Sequence, residues 1–133
     1  TFRTMNEEWR EAAKLELIAI AKRISLNYGG NIKLNIFKGY PFLKNDPELT
    51  KKARGIARDV LGEAHVHDLD LRMTAEDFAF YSHLVPVCFF RLGVANKARG
   101  ITYNVHQSKF DIDQNAMKSG LKLFYSLAFS LDP

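Results

Sequence analysis

The stretch from Val105 to Asp113, Val-His-Gln-Ser-Lys-Phe-Asp-Ile-Asp, carries the most informative polar residues of this sequence. It falls in an expected loop before a helix, and loops at strand ends in α/β sheets are where functional groups collect. A neutral imidazole there is a good ligand for zinc or a similar divalent ion, so His106 is a candidate metal ligand. Taken alone, however, a loop histidine is more often a hydrogen-bonding surface residue. The Asp111 and Asp113 carboxylates are suitable acceptors for a hydrogen bond from such a ligand, although helix capping explains them more simply.

A second polar group lies in Met73 to Tyr81, where Glu76 and Asp77 are adjacent at an expected helix start. Carboxylates at that position satisfy free backbone N–H groups and the positive end of the helix dipole, which is the simpler explanation. The functional alternative is that one of them faces a pocket and orients a substrate group or a metal-ligating histidine.

The other reactive residues give weaker signals. His65 and His67 alternate along an expected strand and share a face, but no third ligand is near, and His83 has no obvious partner. Cys88 lies in an apolar run and fits a buried thiol better than a nucleophile. The sequence contains no glycine-rich phosphate loop, no G-x-S-x-G motif and no cysteine pair at zinc spacing.

The composition is that of a soluble globular protein. Hydrophobic residues make up 47% and charged residues 26% of the 133 residues, and no apolar run approaches the ~20 residues of a membrane span. The net charge of +4 is spread over amphipathic helices among acidic residues, which argues against a nucleic-acid groove. No signal peptide is recognisable, and the single cysteine favours the cytoplasm. The chain lacks an initiator Met, so we expect a piece of something longer.

Residues 1–40 predict a strand, a helix and a strand. Thr1 to Met5 is β-favouring, Asn6 is a suitable N-cap, and apolar positions at helical spacing continue to Gly29-Gly30. Residues 31–38 alternate strictly between polar and apolar, which is typical of a half-buried strand with Ile32, Leu34 and Ile36 on one face. One helix and two strands leave an open sheet edge.

Residues from about 41 onward predict a second domain of alternating helices and strands. Asn45-Asp46-Pro47 opens a helix that Gly62 ends, and a last helix follows the cap Asp113. Between them we expect strands at 65–71 and 87–94, a helix from Thr74 to about Leu84, and a loop at 96–110. Two strands make too small a sheet for a finished α/β domain.

Five short sequence motifs resemble, in order and at compatible spacing, the C-terminal portion of a metallopeptidase family. This family includes hippurate hydrolase, N-acyl-amino-acid amidohydrolases (aminoacylases) and the plant auxin-conjugate hydrolases. The motifs are Thr1-Phe2-Arg3-Thr4, Tyr40-Pro41 with Asn45-Asp46-Pro47, Met73 to Tyr81, Phe89-Phe90-Arg91-Leu92-Gly93, and His106 to Asp113.

The resemblance implies an incomplete α/β arrangement of two domains. Residues 1–40 would be the second half of a ferredoxin-like lid and dimerisation domain, and residues 41–133 the C-terminal part of an α/β metallopeptidase catalytic domain. His106 matches the last metal ligand of the family, and Glu76 and Asp77 match an acidic pair at the edge of the site. The other ligands and the catalytic glutamate precede the lid in the family, so no catalytic residue is expected in this chain. Thr74-Ala75 and Gln114 depart from the usual residues without removing a ligand.

The implied activity is cleavage of the amide bond of N-acyl amino acids or small peptides with a divalent metal. Zinc is favoured, with manganese, cobalt and nickel as alternatives, and the metal is expected to be absent or weakly bound in the isolated chain. The implied partners are the missing N-terminal half, the small substrate and a second copy in a homodimer. The alternative hypothesis is a non-catalytic binding or dimerisation module.

Overall fold

The computed structural model describes residues 1–131 and divides them into two compact units. The first unit comprises Thr1–Lys44 and Asp70–Pro86. The second unit comprises Asn45–Leu69 and Val87–Pro133, as far as its residues are described. The described chain is mainly helical. Its helices are α1 (Glu7–Tyr28), α2 (Pro47–Leu61), α3 (Ala79–Ser82) and α4 (Asn115–Ser130), with 3₁₀ turns at Glu63–His65 and Lys97–Arg99.

Helix α1 begins and ends where its capping residues predict. The Asn6 side chain accepts a hydrogen bond from the Trp9 N–H at 2.8 Å, and Gly29 takes the left-handed backbone (φ 65°) that ends a helix. Most of its apolar side chains are exposed, among them Trp9, Leu17 and Leu26. The predicted amphipathic helix is therefore confirmed in extent, but this unit does not cover its apolar face.

Arg10 is the buried side chain of α1. Its guanidinium pairs with the Glu7 carboxylate and donates to the Tyr40 carbonyl at 2.9 Å. Glu7 in turn accepts from the Phe42 N–H at 3.3 Å. These bonds tie the first turn of α1 to residues 40–42, where the sequence predicts a break.

Helices α2 and α4 pack together and form the core of the second unit. Asp46 caps α2 by accepting from the Leu49 N–H at 2.8 Å, as predicted, and α2 buries Ala53 and Ala57. Leu123 of α4 is also buried, and the Lys122 ammonium donates to the Val60 carbonyl at 3.0 Å. The stripe predicted for α4 is partly wrong, because Leu121 and Phe124 are largely exposed while Gly120 and Leu123 are buried.

The strand predictions are wrong for the described residues. Residues 1–5, 31–38, 65–71 and 87–94 form no β-strand within 1–131, where one isolated bridge joins Asn96 and Ile101. A strand exists only when its backbone groups pair with a neighbour, and an alternating sequence cannot supply that neighbour. The described residues thus contain helices of the predicted α/β arrangement but not its strands.

The helix expected from Thr74 to Leu84 is also shorter than predicted. Residues 71–76 are irregular, and α3 covers only Ala79–Ser82. Its single turn is held by Ala79, which is completely buried. Among residues 1–131, no helix has the length and apolar character needed to cross a membrane.

Candidate functional site

The loop that carries His106 is closed at its base by hydrogen bonds between its two ends. The Asp113 N–H donates to the Val94 carbonyl at 2.8 Å, so the chain returns to its starting point before α4 begins. Near the start of the loop, Asn96 and Ile101 exchange two backbone bonds of 2.8 and 2.9 Å across a turn that ends at Gly100 (φ 72°). Ile101 is buried and anchors this part of the loop in the second unit.

His106 lies at the far end of this loop, in a tight turn from Asn104 to Gln107. The Gln107 N–H donates to the Asn104 carbonyl at 3.3 Å, and the Gln107 side-chain oxygen accepts from the Asn104 N–H at 2.6 Å. His106 is the third residue of the turn and has a φ of 68°, the positive value that this position of a type II turn requires. Histidine is one of the side chains enriched in this conformation. Its imidazole is exposed, as a ligand completed by another part of a protein would need to be.

Asp113 is the residue that joins the two ends of the loop through its side chain. Its Oδ2 accepts from the Asn96 side-chain amide at 2.6 Å, and its Oδ1 accepts from Arg99 Nη1 and the Asn115 N–H, both at 3.1 Å. The hydrogen bond from Asn96, followed by those from Asn115 and Arg99, lowers the pKa of the Asp113 carboxyl. The N-cap position of α4 is Gln114, whose side chain makes no capping bond, so Asp113 lies one residue before the cap that the sequence predicts it to be. Its bond to Asn115 still contacts the first N–H of α4, and the bonds to Asn96 and Arg99 add a second role.

Glu76 and Asp77 lie together at the start of α3, in the first unit. The Glu76 carboxylate accepts a long bond (3.4 Å) from the Phe78 N–H, and the Glu76 and Asp77 carbonyls accept from Ala79 and Phe80. Glu76 is half-buried and Asp77 is exposed. This geometry matches the helix-start explanation. Glu76 and Asp77 belong to the first unit, whereas His106 belongs to the second.

The remaining histidines have local surroundings that the sequence did not indicate. His65 ends a 3₁₀ turn instead of alternating with His67 along a strand, and both are exposed. His83 Nε2 lies 3.0 Å from the Phe42 carbonyl, and its ring contacts Phe42 edge-on at 5.1 Å. Cys88 is half-buried, in keeping with a packing role.

A complete metal site needs several ligating side chains close together. In the described part of the chain, no three His, Cys, Asp or Glu side chains lie close enough together to hold a metal ion. An exposed imidazole on a closed loop fits one ligand of a divalent ion but not a whole coordination sphere, since zinc requires three or four protein ligands.

Sequence reasoning missed Asn96 and Arg99, which hold Asp113 in place. The available signal was Asn96 followed by Gly100, a pattern typical of a turn in which an asparagine side chain accepts backbone N–H groups. The Asn96 side-chain oxygen accepts from the Arg99 N–H at 3.2 Å. That the same asparagine also reaches Asp113, 17 residues later, is a tertiary contact that no local pattern indicates.

Comparison with known proteins identifies the family. Residues 6–130 match the peptidase family M20/M25/M40, and the chain belongs to this family. A putative amidohydrolase, YhaA, of Bacillus subtilis is 31% identical over 130 residues, which are 98% of this chain and 33% of that relative. Thermostable carboxypeptidase 2 of Saccharolobus solfataricus is 30% identical over 90% of this chain and 30% of its own length. The IAA-amino acid hydrolase ILR1-like 6 of Arabidopsis thaliana is 29% identical over 76% of this chain and 23% of its own length.

The chain spans about a third of the length of the first of these relatives. No solved structure matches it significantly. The family resemblance seen in the five sequence motifs is thus confirmed, and membership of a hydrolase family is supported by the names of the relatives.

Proposed function

We propose that this chain is the C-terminal portion of a metal-dependent amidohydrolase that cleaves the amide bond of N-acyl amino acids or small peptides. The observation that carries the proposal is the family match over residues 6–130, combined with a chain that spans about a third of its relatives. Residues 1–40 would complete a small lid and dimerisation domain, and residues 41–133 would complete the catalytic domain. The protein would act in the cytoplasm.

His106 would provide one ligand of a divalent ion, with zinc favoured over manganese, cobalt or nickel. Its exposed imidazole and its place in a tight turn support this role, because the ring is free to meet groups from another part of the protein. Glu76 and Asp77 would lie at the edge of the site and orient the substrate or a ligating histidine. When bound, the ion polarises the amide carbonyl and generates a nucleophilic water. The catalytic base and the remaining ligands would come from the N-terminal part, so the isolated chain would be inactive.

Hydrolysis assays on the chain with and without the N-terminal part test this proposal. We expect no turnover of a panel of N-acyl amino acids and dipeptides by the 133-residue chain, and metal-dependent turnover when it is joined to that part. His106→Ala should abolish the turnover of the joined protein. His67→Ala removes another exposed histidine and should leave turnover unchanged. Turnover by the isolated chain at the rate of the joined protein would refute the proposal.

A zinc titration of the isolated chain gives an independent measure of the ligand. We expect weak zinc binding that shifts the His106 imidazole resonances in an NMR spectrum and disappears in His106→Ala. Substitutions at exposed positions change the free energy of unfolding by about 0.5 kcal/mol or less, so the variant should have the same melting temperature as the wild type. If zinc perturbed the other histidines and left His106 untouched, the ligand assignment would be wrong.

A dimerisation module is the second candidate function. It is favoured by residues 31–38, in which Ile32, Leu34 and Ile36 are exposed and no strand forms. An alternating segment with free backbone groups can add to the edge of a sheet in a second copy or in the missing half. This function and the hydrolase function are compatible in one protein.

A further inference from the structure

We propose that Asp113 is a positioning residue for His106: its carboxylate, held by Asn96 and Arg99, fixes the closed loop whose far turn presents the imidazole. The inference rests on the proposed role of His106 as a metal ligand. It concerns what keeps that ligand in place, and it assigns to Asp113 a function beyond the capping of α4.

Hydrogen bonds at the base of the loop converge on Asp113. The Asp113 side chain accepts from two residues of the opposite loop end, Asn96 and Arg99, while its own N–H donates to Val94. Both ends of an 18-residue stretch thus meet at one residue, as the separation from 96 to 113 shows. Closing a long loop costs conformational entropy, and these bonds offset that cost at the one point where the two ends approach.

The two oxygens of the Asp113 carboxylate bind both the loop and the start of α4. Oδ1 receives the Asn115 N–H of α4 together with Arg99, and Oδ2 receives the Asn96 amide. A residue that only capped α4 would need one acceptor oxygen. Asp113 instead couples the first turn of α4 to the loop, and α4 packs on α2 in the core of this unit. The loop is therefore held to the pair of helices that forms the core of the unit.

A short stretch of chain connects the base of the loop to His106. Asn96 pairs with the buried Ile101 by two backbone bonds, and only two residues separate Ile101 from the turn that begins at Asn104. His106 has a positive φ there, a conformation that costs about 1 kcal/mol for a side chain other than glycine and persists only where the surrounding structure holds it. Ligand geometry must be held to a fraction of an ångström, so a loosened base would move the imidazole out of place.

Four substitutions test the proposal in the joined protein and in the 133-residue chain. Asp113→Asn removes an acceptor from the base of the loop. Asn96→Ala removes the donor to the Asp113 carboxylate and leaves the bond from the Asn115 N–H in place. It replaces Asp113→Asn in the test if that variant does not fold. Asn96→Asp combined with Asp113→Asn exchanges donor and acceptor and can restore the bond. Asp111→Asn is the matched control, because the Asp111 carboxylate accepts from the N–H of its own neighbour, Ile112.

In the joined protein we expect Asp113→Asn and Asn96→Ala to weaken zinc affinity, measured by competition with a chelator, by about tenfold. The exchanged pair should recover to within about threefold of the wild type, and Asp111→Asn should match the wild type. In the 133-residue chain, trypsin should cut after Lys109 about tenfold faster in the two single variants than in the wild type, well below the melting temperature.

Two results would overturn the inference. One is wild-type zinc affinity in both single variants while His106→Ala loses zinc. The other is an exchanged pair that folds but binds zinc as weakly as the single variants. A different result would show that the proposed function is wrong: zinc affinity would then be unchanged in His106→Ala. The trypsin measurement would still report on the loop in that case.

Discussion

His106 and Asp113 illustrate how single residues in this loop divide their tasks. The imidazole is exposed and held in a left-handed backbone conformation, whereas the carboxylate is surrounded by donors from three residues. Groups that bind a ligand must be accessible, and groups that position them must be saturated with partners inside the fold. The lowered pKa of Asp113 records this saturation and leads to a prediction about acid stability.

Asp113→Asn should change the pH dependence of stability. Because the pKa of the Asp113 carboxyl is lower in the folded than in the unfolded chain, its contribution is full above the unfolded pKa, about 3.9, and is lost as the pH falls through the folded pKa. The melting temperatures of wild type and Asp113→Asn should therefore differ most above about pH 5 and converge towards pH 2. Thermal unfolding followed by circular dichroism at several pH values measures this. A constant difference from pH 2 to pH 7 would contradict it.

The helices show which features of an element act locally and which depend on packing. Helix α2 has a local cap, Asp46, followed by Pro47 in the first turn, and it buries Ala53 and Ala57 against its own unit. Helix α1 has an equally good cap but buries Arg10 and exposes most of its apolar side chains. Capping is decided within a few residues, whereas burial depends on what lies opposite.

Asp46→Ala should destabilise the second unit through the loss of its cap. The Leu49 N–H would lose its side-chain acceptor, which costs about 0.5–2 kcal/mol. Asp46→Asn keeps an oxygen in place and should lose much less. Urea denaturation measures both, and hydrogen exchange at the amides of α2 locates the effect. Equal stabilities of the alanine and asparagine variants would show that the cap is not responsible.

Arg10→Ala should loosen the first turn of α1 and residues 40–42. The substitution removes the donor to the Tyr40 carbonyl and leaves the Glu7 carboxylate without its guanidinium, at a cost of about 1–3 kcal/mol. Arg23 lies on the exposed face of the same helix, so Arg23→Ala is the matched control and should change the free energy of unfolding by about 0.5 kcal/mol or less. Hydrogen exchange of the Phe42 amide provides the readout. Unchanged protection in Arg10→Ala would rule out this anchoring role.

The described chain leaves a large amount of apolar surface exposed. Large apolar side chains are exposed on α1, α4 and residues 31–38, including Leu15, Ile18, Leu26, Phe37 and Leu121. Contiguous exposed apolar surface is typical of protein–protein interfaces. A chain that spans about a third of its relatives has reason to carry such surface, because much of it would be covered in the whole protein.

We expect the isolated 133-residue chain to self-associate through residues 31–38. Light scattering coupled to size exclusion should give at least the mass of a dimer at micromolar concentration. Replacing both Ile32 and Leu34 with lysine should shift the chain towards the monomer, because charges on the apolar face oppose edge pairing. The control replaces Lys33 and Asn35, which alternate with them, by alanine. A monomeric wild type, or a double-lysine variant of unchanged mass, would argue against this surface.

Short-range sequence patterns were sufficient to predict the family and the ends of α1 and α2 and to single out His106 as a candidate ligand, whereas α3 is shorter than its pattern predicts. The caps at Asn6 and Asp46, the glycine after α1 and the five family motifs all depend on short segments, and the structure or the comparisons bear them out. The metal role of His106, Glu76 and Asp77 and the domain boundary at about residue 40 stay predictions.

The formation of the predicted strands and the anchoring of the His106 loop depend on contacts between residues far apart in the sequence. Alternation in residues 31–38 predicts a strand, but a strand is stabilised by hydrogen bonds to a neighbour, and none of the described residues provides one there. The contacts of Asp113 with Asn96 and Arg99 likewise join residues 14 and 17 positions apart. Caps and turns act within a few residues and can be recognised from sequence, whereas sheet pairing and loop anchoring depend on which distant groups the folded chain brings together.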